Sequence, residues 1–473
     1  MENIQRPKIS ACMIVKNEEV FLPNCLNSIR DVADEIIVVD TGSTDDTVTI
    51  ARNFGAKVYH HPWNDSFSEA RNLSINYASG DWIFQIDADE ELEKSDIPKL
   101  RDAITANNYD GIIIAIYSII KDGIHKFYHP RIFRRGKGFY KDIIHEQTII
   151  DGERLSTEIR LYHHGYNLDE EKMKIKWQRT THLLNKQIKQ NKFDSFAWFN
   201  LIRNYRIQDL FQNGIDAGEE ALKIFTPDSF LKHGGTNGHL HHYVMILYET
   251  ANCYLYNENF QKAKELCHFA LSKLAESEIT PENIDLIFTL ACTYLKEEDY
   301  RRAIYYFERF LSSREWYLKN MHNISLMVDT LGYDYTAYNG LGYCFGKLGQ
   351  LQTAINYLQK AIASNTRYRT PYKNLVLCYL NDGNLVEATN TLLKTISEGI
   401  ADNETPLCLG ELYIKQEAYE KAIPYLEAYL KIYPENKDTL LNIAQCYEKL
   451  GHWEAALIGY KSALGGIAKK VQN

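Results

Sequence analysis

The sequence predicts two architectures in series, an α/β domain with a parallel sheet followed by an all-α helical-repeat solenoid. Three observations predict this. Residues 8–90 alternate short continuous apolar runs with segments of helical spacing. Three of those runs end in clusters of carboxylates and amides. From residue 341 a unit of 34 residues recurs four times without gaps, and less regular units extend the pattern back to about residue 195.

The first run, KISACMIV, has strand length and no polar alternation, the pattern of a strand buried on both faces. NEEVFLPNCLNSIRDVA carries apolar residues at helical spacing. EIIVVD is a second buried strand, and TVTIARNFG a helix closed by Gly55. AKVYHH is a short third strand. SFSEARNLSINYASG is a helix closed by Gly80, and DWIFQIDAD a fourth strand. Strands alternating with helices argue for a parallel sheet covered on both sides. Residues 111–162 read as further strands with a tight turn at Asp122-Gly123. Residues 169–194 read as a linker helix and 195–473 as the repeats, which leaves 1–168 for the α/β domain.

Ligands of open α/β sheets bind beyond the carboxyl ends of the strands. Here the first strand ends in Lys16-Asn17-Glu18, the second in Asp40-Thr41-Gly42-Ser43 and the fourth in Asp87-Ala88-Asp89. Gathering these groups at one edge is costly without a ligand. There is no GxGxxG after the first strand, which disfavours a dinucleotide fold, and no GxxxxGK[ST], which excludes a P-loop. An Asp-x-Asp at a strand end suits Mg²⁺ or Mn²⁺ held by carboxylates together with substrate phosphates.

In the repeats, Gly342, Val376, Gly410 and Ala444 are each 34 residues apart. An aromatic follows three residues later (Phe345, Tyr379, Tyr413, Tyr447), and alanine twelve residues later (Ala354, Ala388, Ala422, Ala456). This resembles the tetratricopeptide repeat, a helix–turn–helix unit whose apolar face only its neighbours can cover. Less regular units begin near Trp198, Ala251 and Ala291, with an insertion at 312–334. Cys253, Cys344, Cys378 and Cys446 precede the aromatic position and read as core residues. The tract HGGTNGHLHH, with His233, His239, His241 and His242, matches no closed zinc spacing and reads as a loop or helix entry.

Taken in order, ISACMIVKNEE, EIIVVDTGSTDDT, EARNLSINYASGDWIFQIDADE, IHEQ and YHHGY resemble family 2 glycosyltransferases of the GT-A fold. More narrowly, they are similar to the branch of sublancin-type peptide S-glycosyltransferases, which also carry helical repeats. The resemblance covers residues 8–168. It implies that Val15, Lys16, Asn17, Glu18, Asp40 and Ser43 line the nucleotide, with Asp40 accepting the uracil N–H. A helix cap is the alternative for Asp40, and a solvated ion pair for Lys16 and Glu18. Arg71-Asn72 is implied to face the nucleotide; a surface salt bridge of Arg71 with Glu69 or Asp81 is the alternative. Asp87, Ala88 and Asp89 match the family's DxD. Asp87 is assigned to ribose and metal, Asp89 to the metal, and His163 closes the metal site. Arg131 and Arg134 either reach the diphosphate or decorate a strand; Arg134 is placed with the nucleotide-binding set. In IHEQ, on a strand-like segment, Glu146 matches the catalytic base; His145 stands where the family usually has an acidic residue, as in the S-glycosyltransferase branch, and is placed with the catalytic set, its own contribution left open. A salt-bridged structural Glu is the alternative there.

Against 53 Lys and Arg stand 62 Asp and Glu, a net charge of −9, which argues against a general nucleic-acid binder. No apolar run approaches bilayer length and the N-terminus lacks a secretory pattern, so a cytoplasmic protein is expected. The expected chemistry is metal-dependent (Mn²⁺ or Mg²⁺) inverting transfer of a hexose from a UDP-sugar to a peptide or protein side chain held by the repeats. Cysteine is favoured over serine or threonine by resemblance, and a homodimer is left open. The rivals are a glycan or lipopolysaccharide-core acceptor, and a repeat scaffold that has lost activity.

Overall fold

The computed structural model describes residues 6–106, 108–120, 123–165, 170–226, 237–276, 283–320 and 328–468. The chain divides into two compact units, Met1–Glu258 and Asn259–Asn473.

The first unit is built on an eight-stranded sheet of order β3-β2-β1-β4-β7-β6-β10-β5. Strands β1 (Ile9–Val15), β2 (Glu35–Asp40), β3 (Lys57–His60) and β4 (Trp82–Gln85) are parallel. They are joined through α1 (Leu22–Ile29), α2 (Thr47–Asn53) and α3 (Phe67–Asn76). All residues of β1 except Ile14 are buried, as covering both faces requires. The turn before β4 passes so close to β1 that a Cβ on Gly80 would lie 2.6 Å from Ser10 Oγ. Helix α1 is shorter than the sequence pattern suggests. Pro23 opens it, and Glu18 is drawn into a loop by its N–H bond to Thr47 Oγ1 at 2.7 Å.

Then come β5 (Glu90–Leu92), α4 (Ile97–Thr105), β6 (Gly111–Ile120), β7 (Gly123–Arg134) and β10 (Arg154–His163). A separate antiparallel pair is formed by β8 (Gly138–Lys141) and β9 (Gln147–Ile150). β6 and β7 pair up to Ile120 and Gly123; of the expected turn, Asp122 lies outside the described residues. Opposite Ile112 and Ile113 the register of β7 skips from Ile132 to Pro130, which leaves Arg131 as the extra residue of a bulge. A proline, lacking a ladder donor, is tolerated at such a break.

The expected linker helix is α5 (Glu170–Gln190), followed by α6 (Ser195–Ile207), α7 (Phe211–Ile224) and α8 (Asn237–Tyr256). α5 packs on the sheet domain. Lys186 pairs with Asp65 at 3.2 Å, and the Arg179 guanidinium lies over the Phe67 ring at 5.5 Å. Asn204 of α6 donates to the Trp177 carbonyl and Thr181 Oγ1 of α5. These contacts hold α5 to the sheet domain and α6 to α5, within the unit Met1–Glu258. His233 lies outside the described residues, as do the side chains of His239 and His241; His242, inside α8, bonds Ser195 Oγ at 3.0 Å.

The second unit is all helical: α9 (Phe260–Glu276), α10 (Ile284–Lys296), α11 (Tyr300–Asn320), α12 (Asp334–Lys347), α13 (Leu351–Ser364), α14 (Thr370–Asn381), α15 (Leu385–Ser397), α16 (Thr405–Lys415), α17 (Tyr419–Ile432), α18 (Lys437–Lys449) and α19 (Trp453–Ala468). The phase read from the sequence is the packing phase. Gly342, Val376, Gly410 and Ala444 sit on the first helix of each pair, and Ala354, Ala388, Ala422 and Ala456 are buried on the second. A Cβ on Gly410 would meet Leu426 at 2.4 Å, and one on Gly342 would meet Leu358 at 2.5 Å. The repeat cysteines are buried as expected, and all nine cysteines are free. Among the described residues no helix is long and apolar enough to cross a membrane.

Candidate active site

The carboxyl edge of β1, β2 and β4 collects the residues singled out by sequence. Val15 pairs in register with Asp40, so the two strands deliver their terminal loops side by side. Asn17, in the left-handed region at φ 57°, donates its N–H to Ser43 Oγ at 3.0 Å and accepts that of Thr44 at 2.7 Å. Lys16 is exposed. Asp40 is buried and accepts N–H bonds from Ser43 and Gly42 and one from His60 Nδ1 at 3.1 Å. Burial pushes its carboxyl up, but these bonds prevail and hold it below its usual range. Asp40 therefore fixes a turn and caps no helix; Asp46 takes the N-cap position of α2.

Beyond β4 the chain presents Asp87, Ala88 and Asp89. Arg71 of α3 is buried and bridges two carboxylates. Its Nη1 meets Asp87 Oδ1 at 2.6 Å and its Nε meets Glu146 Oε1 at 2.6 Å, while its guanidinium covers the Tyr140 ring. The surface partners Glu69 and Asp81 are thus not used. Asn72 exchanges two hydrogen bonds with the Tyr140 backbone, which makes it a strut for β8 and not a nucleotide contact.

Asp89 Oδ2 lies 3.3 Å from His163 Nε2, at the end of β10, and Ser118 Oγ supports the other ring nitrogen at 3.3 Å. Burial lowers the His163 pKa, but the Asp89 hydrogen bond and the charges of Asp89, Glu90 and Asp87 outweigh it and raise the pKa. Gly165 leaves the pair accessible: a Cβ there would sit 1.8 Å from Asp89 Oδ2 and 3.0 Å from His163 Nε2. Glu18 belongs to the same negative field. Burial and the charges of Asp89, Asp87 and Asp45 push its carboxyl up to about 7, against Lys176.

An oxygen and an imidazole nitrogen facing each other in an acidic, uncrowded setting fit a hard divalent cation completed by diphosphate oxygens and water. The pair is Asp89 and His163. Asp87, expected as a third ligand, has both oxygens engaged by guanidinium, Arg71 on one and Arg131 at 3.3 Å on the other. Among the described residues no set of three or more His, Cys, Asp or Glu is poised around a metal position.

Two further expectations change. Arg134 does not reach the site. β7 runs antiparallel to β4, and Arg134 pairs with Trp82 at the start of that strand, on the opposite edge. There it donates to the Tyr109 carbonyl and stacks over the Trp82 ring at 4.6 Å. Of the IHEQ segment, Ile144, His145 and Glu146 lie in the turn between β8 and β9, and only Gln147 belongs to a strand, as the first residue of β9. Asp142 and His145 have φ of 75° and 51°, and His145 is exposed.

Residues 10–168 match the family model "Glycosyl transferase family 2". The α/β domain is a family 2 glycosyltransferase domain. Behind this glycosyltransferase domain, residues 335–367 and 413–463 match tetratricopeptide-repeat models. The SPbeta prophage-derived glycosyltransferase SunS of Bacillus subtilis is 30% identical over 233 residues, 47% of this chain and 55% of that protein. An uncharacterized glycosyltransferase of Rickettsia felis is 44% identical over 108 residues, 22% of this chain and 36% of its own. A TPR repeat-containing protein of Synechococcus elongatus is 55% identical over 85 residues, 18% of this chain and 21% of that one. The chain spans about half or less of the length of these relatives.

The glycosyltransferase domain also uses residues that local pattern did not single out. Glu90 is 1% exposed, receives Arg131 at 2.6 Å and accepts the Asp87 N–H. Burial pushes its carboxyl up, Arg131 opposes, and Asp87 and Asp89 add to the rise. Lys176 of α5 is close enough for Asp89, Glu18 and Asp87 to act on its charge. The spacing Lys172, Lys176, Arg179 shortly after YHHGY was the available signal. Replacing Arg131 by Met is expected to lower stability by about 3–5 kcal/mol in urea unfolding, because Glu90 and Asp87 lose a buried partner. The double variant with Glu90→Gln should recover much of that loss.

Proposed function

We propose that this chain is a metal-dependent inverting glycosyltransferase that moves a hexose from a UDP-sugar to a peptide or protein side chain, cysteine before serine or threonine. The observation that carries this reading is the shared edge of the Asp89–His163 pair and the Glu146–Arg71–Asp87 chain. Asp40, kept ionised by its N–H donors, accepts the uracil imide N–H. Asp87, fixed between Arg71 and Arg131, accepts from ribose hydroxyls. Asp89 and His163 would hold Mn²⁺ or Mg²⁺, which would supply neutralisation of the leaving diphosphate.

Arg71 engages Oε1 of Glu146 and leaves Oε2 to take the acceptor's proton. As that proton moves, the acceptor sulfur or oxygen bonds to the anomeric carbon, and the bond from that carbon to the diphosphate oxygen breaks on the opposite face. The repeats favour a polypeptide acceptor, since stacked helix pairs offer extended surfaces. The resemblance of its motifs to the sublancin-type peptide S-glycosyltransferases supports the cysteine preference.

The test is UDP release by the purified full chain from a panel of UDP-sugars in Mn²⁺, with and without chelator. One UDP-hexose should be turned over well above the rest, and chelation should stop it. No turnover of any UDP-sugar, with or without a cysteine peptide, would sink the reading.

A further inference from the structure

One buried side chain joins the first helices after the α/β domain to the loop that carries Glu146. Gln187, in the last turn of α5, is 5% exposed. Its Oε1 accepts the Ile143 N–H at 3.1 Å and lies 3.5 Å from that of Ile144. Its Nε2 donates to Asp194 Oδ2 at 2.8 Å, and Asp194 Oδ1 in turn accepts the Ala197 N–H as the cap of α6. On its other side, the Ile143 carbonyl accepts the N–H of Phe67 at 2.8 Å, the first residue of the helix that carries Arg71. Ile143 is thus held between α5 and α3, and three residues later Glu146 pairs with Arg71.

The loop needs such support. Asp142 and His145 both adopt positive φ, a conformation that persists only where the surroundings impose it. The N–H groups of Ile143 and Ile144 fall between β8 and β9, beyond the ladder, and the Gln187 carboxamide is what they bond. The carboxamide meets both demands, an acceptor toward two backbone N–H groups and a donor toward a carboxylate. Glutamate would set a second carboxylate against Asp194, and methionine would leave the amides unpaired.

We infer that Gln187 is a positioning residue for Glu146, through which the Asp194-capped helix α6 holds the base loop in its working geometry. The inference rests on the proposed role of Glu146 as the base. It touches neither donor nor metal, so its effect falls on the proton-transfer step and not on nucleotide binding.

The experiment compares wild type, Gln187→Met, Glu146→Gln and the double variant in the full chain. Hydrogen exchange needs no substrate: segment 142–147 should exchange at least roughly tenfold faster in Gln187→Met, with β1 and β4 unchanged. UDP release in Mn²⁺ from the UDP-hexose that the panel selects, with a cysteine peptide as acceptor, should fall roughly 10- to 100-fold in kcat with KM for the donor unchanged, the scale of a small misplacement of a reacting group. On the Glu146→Gln background the same substitution should cost no more than about twofold, because the group being positioned is gone. A full loss on that background, or unchanged exchange at 142–147, overturns the inference alone. Wild-type turnover by Glu146→Gln overturns the base assignment and the inference with it.

Discussion

Asp89→Ala is expected to abolish sugar transfer while the sheet stays folded. Asp89 stands on the loop after β4, whose strand residues are fully buried without any help from this carboxylate. Its loss removes one side of the Asp89–His163 pair, across which Oδ2 and Nε2 are 3.3 Å apart. A lone imidazole is a poor site for a hard cation, which prefers oxygen donors. Leaving-group neutralisation is worth several kcal/mol, so turnover should fall by roughly 10³-fold or more. UDP binding gives an independent measure. In wild type, affinity for UDP should be higher in Mn²⁺ than in chelator, and in Asp89→Ala that difference should vanish while the metal-free affinity stays. A variant that keeps full turnover, or a wild type indifferent to Mn²⁺ in both measurements, would remove the metal from the proposed mechanism.

Much of this arrangement is visible in the sequence because it depends on short-range pattern. The apolar runs ending in Asp40 and Asp87 place both residues at one sheet edge once the strands are parallel. The 34-residue phase picks out Gly342 and Gly410, where helix pairs approach too closely for a side chain. What stays hidden depends on strand direction and register. Arg131 and Arg134 are three residues apart in one strand. Because β7 runs against β4, advancing along it leads away from the carboxyl edge, so Arg131 meets Asp87 and Glu90 while Arg134 faces Tyr109. The bulge at Arg131 arises from a pairing partner some twenty residues away, and no local propensity announces it. The turn character of IHEQ has the same origin, since its support comes from Gln187 and Phe67, far along the chain. Helix α5 reads as a linker because its amphipathic spacing does not reveal what it packs against.

Glu146→Gln should keep the fold and donor binding while lowering transfer by roughly 10²–10⁴-fold, the usual contribution of a positioned base. The amide is nearly isosteric, and its oxygen can still accept from Arg71 Nε, now 2.6 Å from Oε1. Arg71 also keeps Asp87, so the guanidinium is not left without a carboxylate. What disappears is the ability of the second oxygen to take a proton. The size of the loss should depend on the acceptor. A cysteine thiol of pKa ~8.5 is already about a few per cent thiolate near neutrality, whereas an alcohol remains protonated. A cysteine peptide should therefore lose less than its serine analogue. Raising the pH toward 9 should restore part of the activity on cysteine and none on serine. Transfer rate against pH, for both peptides with wild type and variant, reads all of this at once. Equal losses on the two peptides with no recovery at high pH would mean that Glu146 orients the acceptor without accepting its proton. Wild-type rates on both would shift the base to another residue of the same turn, where Asp142 and His145 are the titratable groups.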